Sequence, residues 1–186
     1  MTSKKIYFTL IFLLNLFSAV KSFSRSQVRD STEIIDYYSN GNKKLEGWYI
    51  IDSTKSGEIV YLAVGKQIKY YKSGKIQGYQ FFERGILHGE FVSYFENGNR
   101  EKIFYYIKGK LEGPFTFYYT DGKIMRTGTF KNDKDFGISK KHYKNGQLAS
   151  EEFYNEDGIQ EGEVKYYNKV GHLIKTEILF NGKKKK

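Results

Sequence analysis

The chain has 186 residues, of which 28% are charged and 18% aromatic, and a formal net charge of +10. Its mean hydropathy is low, at −0.61, but so high an aromatic content argues against a disordered chain. It has no cysteine, which excludes disulfides, thiolate catalysis, cysteine-bound zinc and lipid attachment at an N-terminal cysteine.

The charge sits mostly at the ends. Lys4, Lys5 and Lys21 flank an apolar run, and residues 183–186 are a lysine tail. Without these seven, 24 basic residues stand against 21 acidic ones. The two signs interleave along the body, which describes a solvated surface and argues against a nucleic-acid partner.

The first element is residues 6–20, "IYFTLIFLLNLFSAV", behind a short basic start. Its length suits a signal-peptide core and falls short of a membrane span of about 20 residues. Small residues at Ala19, Ser22 and Ser24 suit cleavage near Ser22 or Ser24. The pattern predicts a signal peptide over residues 1–22, with an uncleaved anchor as the alternative. Either way the body leaves the cytoplasm for the periplasm, the cell envelope or the medium. Residues 23–36 are polar, without a clear period, and read as a linker.

From residue 37 the chain repeats itself. Glycines that follow an aromatic pair stand at Gly41, Gly74, Gly98, Gly122, Gly146 and Gly171, at gaps of 33, 24, 24, 24 and 25. A second glycine precedes five of them by nine residues, at Gly65, Gly89, Gly113, Gly137 and Gly162. An aromatic column, Phe82, Tyr106, Phe130, Tyr154 and Phe180, keeps nearly the same period. Three columns on one period define a tandem repeat of about 24 residues. The first gap exceeds the period by nine, so the first unit carries an insertion near "DSTKSGEIV".

Each unit reads as a β-hairpin. In "EFVSYFENGNREKIFYYI" two aromatic and β-branched runs flank an Asn-Gly, which predicts a two-residue type I′ turn. Ser73-Gly74, Asp121-Gly122 and Asn145-Gly146 are its equivalents. The second connection, "KGKLEG", is longer and reverses the chain again. No apolar 3.6-residue period follows residue 22, so the fold class is all-β: an elongated, twisted antiparallel meander over residues 37–186. One hairpin alone is marginal, but units in series support one another.

Alternation places Phe115, Phe117 and Tyr119 on one face, and Thr116 and Tyr118 on the other. Stacked units should align Tyr70, Tyr94, Tyr118, His142 and Tyr167 in one column, and Tyr71, Phe95, Tyr119 and Tyr143 in the next. A single-layer sheet cannot bury both faces, so an exposed aromatic face is a candidate docking surface. Its candidate residues are Trp48, Tyr70, Tyr94, Tyr118, Tyr143 and Tyr167. Trp48 is the lone tryptophan and lies beside the insertion.

These motifs, "HGEFVSYFENG", "EGPFTFYYTDG" and "FGISKKHYKNGQL", resemble the MORN repeat variant family, over residues 37–183. The family includes proteins described as YwqK-like antitoxins. The resemblance implies elongated sheets of hairpins that act as protein-binding or membrane-associated scaffolds, and the antitoxin description implies neutralising a partner protein. An export signal departs from an antitoxin against a cytoplasmic toxin.

No motif carries catalysis. His88 lies in a repeat turn, His142 fills an aromatic column and His172 follows the last turn glycine. None has a second histidine at metal-ligand spacing. "NDKDFG" resembles a calcium loop but lacks the closing glutamate. No nucleophile elbow or phosphate-cradling loop occurs. The sequence therefore predicts a non-enzymatic exported module without cofactor or metal that binds another protein. A lipid or glycan surface binder using tyrosines and lysines, and an antitoxin, are the alternatives.

Overall fold

The computed structural model describes residues 31–184. The expected signal peptide, residues 23–30 of the expected linker and the last two lysines of the tail lie outside them. Among the described residues fourteen strands follow one another. They are β1 (Ser31–Tyr37), β2 (Lys43–Ser53), β3 (Ile59–Tyr70), β4 (Ile76–Glu83), β5 (Ile86–Tyr94), β6 (Arg100–Ile107) and β7 (Lys110–Leu111). β8 (Gly113–Tyr118), β9 (Ile124–Lys131), β10 (Lys134–His142), β11 (Leu148–Tyr154), β12 (Gly162–Tyr167), β13 (Leu173–Phe180) and β14 (Lys183–Lys184) complete them. They form one open antiparallel sheet in chain order, with the short β7 set aside on β6. The meander read from the repeat is this sheet. It begins earlier than expected, because Ser31–Asp36, placed in the linker, pairs with β2 as part of β1. The polar sequence of β1 hides a strand whose register is set by its neighbour rather than by its own alternation.

The turn chemistry differs from the expectation. At the Asn-Gly turn the Phe95 N–H donates to the Asn99 carbonyl, and the Gly98 N–H to the Phe95 carbonyl. Three residues separate Phe95 from Asn99, and of these only Gly98 has positive φ, at 90°. This is a type I turn closed by a left-handed glycine, not type I′. The two-residue type I′ turns lie in the second connection. There Arg84 and Gly85 have φ of 47° and 81°, and Lys108 and Gly109 have 50° and 82°. Asn132 and Asp133 make the same turn without glycine, at 49° and 68°, as short polar side chains tolerate that region. The Asp133 carboxylate accepts the Leu111 N–H at 2.7 Å.

The second-column glycines Gly65, Gly89, Gly113, Gly137 and Gly162 all have positive φ. Register breaks lie beside them: between Gly47 and Trp48 on β2, between Gln80 and Phe82 on β4, and between Phe136 and Lys140 on β10. They mark bulges in the paired strands. The insertion in the first unit lengthens β2 and β3, whose pairing runs out to Ser53 opposite Ile59. An ion pair at 2.6 Å between Arg84 and Asp52 ties this longer hairpin to the turn after β4.

Candidate functional site

The two faces of the sheet differ. One row on the first face runs through Gln67, Gln80, Phe91 and Phe104 by direct pairing. It continues through Phe115 opposite Gly128, Ser139 opposite Glu152, and Val164 opposite Glu177. Phe115 is 2% exposed and Val164 0%, so this row is the core. Phe91 stacks on Phe104 at 4.5 Å, and Phe115 meets Phe130 at 4.3 Å. Gly128 makes room for Phe115: a Cβ there would stand 2.6 Å from the ring.

Past Phe115 the core turns polar. Arg126 donates to Ser139 Oγ at 3.0 Å and to Asp135 at 2.6 Å, with its guanidinium 5.0 Å from the Phe115 ring centre. Burial pushes the Glu152 carboxyl up, but bonds from Lys141, Tyr154 and Ser150 outweigh it and hold the group below its ordinary value. Buried charge of this kind persists only when each oxygen has a donor.

The tyrosine columns are structural staples. The Tyr38, Tyr71, Tyr119 and Tyr143 hydroxyls each donate to a carbonyl in the next unit: Tyr70, Tyr94, His142 and Tyr167. The aligned columns meet the next unit through these bonds and not through ring-on-ring contact. Equivalent residues lie two strands apart, roughly 9–10 Å, beyond ring contact. Of the candidate docking residues, Tyr70, Tyr94, Tyr118, Tyr143 and Tyr167 are thus half-buried along the turn edge. Tyr70 also donates to Glu46 at 2.6 Å. Burial and that bond push its hydroxyl up to about 12. Trp48 lies apart from them, 48% exposed, between Glu33 and Val64.

A second ladder joins the turns. Asn97 and Asn99 donate to the Thr120 carbonyl, and Asn40 and Asn42 to that of Lys72. Asn145 does the same to Lys169.

A patch of exposed apolar side chains lies on the second face, which sequence reading did not single out. Ile138, 57% exposed, is directly opposite Phe153, 43% exposed. Ile174 and Ile178 of β13 point the same way and are also exposed. Ion pairs of Lys140 with Glu151 at 3.0 Å, and Lys165 with Glu163 at 3.1 Å, lie beside the Ile138–Phe153 pair and between it and the β13 isoleucines.

The histidines stand apart. The Nδ1 of His142 is buried without a partner, and burial lowers its pKa. His88 lies 3.8 Å from Glu83. Among the described residues no group of three or more His, Asp or Glu side chains is placed to hold a metal ion.

The MORN repeat variant model matches four stretches, residues 63–84, 87–108, 111–132 and 137–156. Each spans one hairpin of the sheet. The chain matches none of the curated proteins. Among solved structures it is similar to a TarM mutant from S. aureus in complex with Fondaparinux, alpha-GlcNAc-glycerol and UDP. The identity there is 17% and the TM-score 0.37, over 58% of this chain and 21% of that one. A second TarM structure matches at 19% and 0.37, over 59% of this chain and 21% of that one. A protein of unknown function from Bacteroides fragilis matches at 9% and 0.18, over 84% and 96%. The chain thus spans about a fifth of the TarM structures, and at these scores none of the three informs its function. The four matched hairpins are tandem MORN repeat variants, set within a sheet that extends the same geometry on both sides.

Proposed function

We propose that this chain is an exported, non-enzymatic module that binds another protein in the cell envelope. MORN repeats are typically protein- or membrane-binding modules. The observation that carries the protein reading is the patch around the Ile138–Phe153 pair. The pair is apolar and exposed, with the Lys140–Glu151 and Lys165–Glu163 ion pairs beside it, a mix of apolar centre and charged border that suits a protein contact. Export is supported by the basic start and apolar run of residues 1–22. The non-enzymatic reading is supported by the way the histidines fall into repeat positions rather than into a cluster.

Affinity purification of the tagged chain from the cell that encodes it tests this reading. A partner protein should co-purify. Phe153→Asp should abolish its recovery, and Ile51→Asp, on the opposite face, should not. Equal recovery with Phe153→Asp would remove the patch as the docking surface.

A further inference from the structure

We propose that the junction of the third and fourth hairpins, β5–β6 and β8–β9, is a cleft for an aromatic side chain of a partner protein flanked by carboxylates. The proposal rests on the protein-binding reading above and names the chemistry of a second contact. An open cleft of about 330 Å³ lies there, at the small end of ligand sites, roughly 300–1,000 Å³. Its apolar lining includes Phe95, Phe117 and Met125, and its charged lining Glu101, Lys102 and Lys144.

Departures from the repeat build it. Where this junction has Phe95, other units have Tyr71, Tyr119 and Tyr143, whose hydroxyls cap the next carbonyl. Phe95 has no hydroxyl, so the Tyr118 carbonyl lacks that donor. Phe117 stands where other units have Ser93, Lys141 and Tyr166. Met125 stands where they have Gln77, Glu101, Ala149 and Ile174. No other junction joins two phenylalanines and a methionine. Aromatic rings pack well against such soft, polarisable walls.

The charge of the lining selects the flanks. Lys102 lies 3.8 Å from Glu101. The Lys144 ammonium lies 5.8 Å from the Tyr119 ring centre and has no carboxylate within ion-pair distance among the described residues. One cation is left over, beside an apolar wall, and it favours carboxylates on the incoming chain.

The chain offers a direct probe, because its two methionines are Met1 and Met125. Carbon-13 labelling of methionine methyls in the full chain therefore gives one signal inside the cleft. The probe is a blocked Asp-Glu-Phe-Asp-Glu peptide, compared with Lys-Lys-Phe-Lys-Lys and Asp-Glu-Ala-Asp-Glu. The Met125 signal should shift saturably with the first peptide only. Lys144→Glu, on an exposed side chain, should weaken that binding roughly fivefold. A Met125 signal that no peptide moves, an equal response to the basic peptide, or a response only to phosphatidylserine vesicles would overturn the proposal. Partner recovery that still depends on Phe153 beside an unmoved Met125 signal would overturn the cleft alone and leave the protein-binding reading standing.

Discussion

The Tyr119 hydroxyl donates to the His142 carbonyl oxygen at 2.7 Å, across 23 positions of sequence. The bond joins one repeat to the next where the strands themselves do not reach. The same staple recurs from Tyr38, Tyr71 and Tyr143 and is missing at Phe95. Tyr119→Phe should therefore lower stability by about 1 kcal/mol, the net value of one such bond. Phe95→Tyr should raise it by a smaller amount. Urea unfolding followed by circular dichroism checks both, and equal midpoints for all three chains would remove the staple as a stabilising contact.

The glycines divide into two kinds. Gly98 has φ of 90°, and a Cβ there meets nothing within 4 Å. Its cost on substitution is purely conformational, so Gly98→Val should destabilise by more than the roughly 1–2 kcal/mol of the left-handed region for an ordinary residue, and Gly98→Asn by less. Gly128 has no positive φ, but its Cβ would strike the Phe115 ring. Gly128→Ala should cost roughly 1–3 kcal/mol through overpacking, and Phe115→Leu in the same chain should restore part of it. Thermal melts of the four variants separate the two causes, because no ring truncation relieves Gly98→Val.

The periodicity made the meander, the repeat length and the insertion legible, because each unit repeats its turn glycines and aromatic pairs. The turn types were not legible. Asn-Gly suits type I′, but loop length decides, and only the two-residue turns at Arg84-Gly85 and its equivalents take it. β1 was missed because its residues carry no alternation of their own. The tyrosine columns were found, but their role was not: sequence spacing shows which residues align, not that the rings stand two strands apart. The Ile138–Phe153 patch escaped notice because single exposed aliphatic residues look alike in any strand.

Acid should loosen the C-terminal end of the sheet. Bonds from Lys175 and Lys184 hold the Glu177 carboxyl down to about 2, from an ordinary value of 4.5. A carboxyl lowered in the folded state contributes stability above its ordinary value and loses it as pH falls through the folded one. The contribution of Glu177 should thus fade between about pH 4.5 and pH 2. Glu177→Gln should flatten the stability curve in that window and leave its shape above pH 6 unchanged. Denaturation midpoints at successive pH values check this, and an unchanged acid limb would show that the lysine contacts do not persist in solution.

Site-specific photo-cross-linking from position 153 in living cells, followed by fractionation, tests the central claim most directly. A photoreactive phenylalanine analogue keeps the ring at Phe153 and reports what touches it. The account predicts one discrete protein adduct, recovered outside the cytoplasm on a chain shortened by the signal peptide. Adducts with lipid alone, or no adduct, would contradict the protein-binding claim. An adduct on a full-length chain in the cytoplasm would contradict export and turn the search toward a cytoplasmic partner.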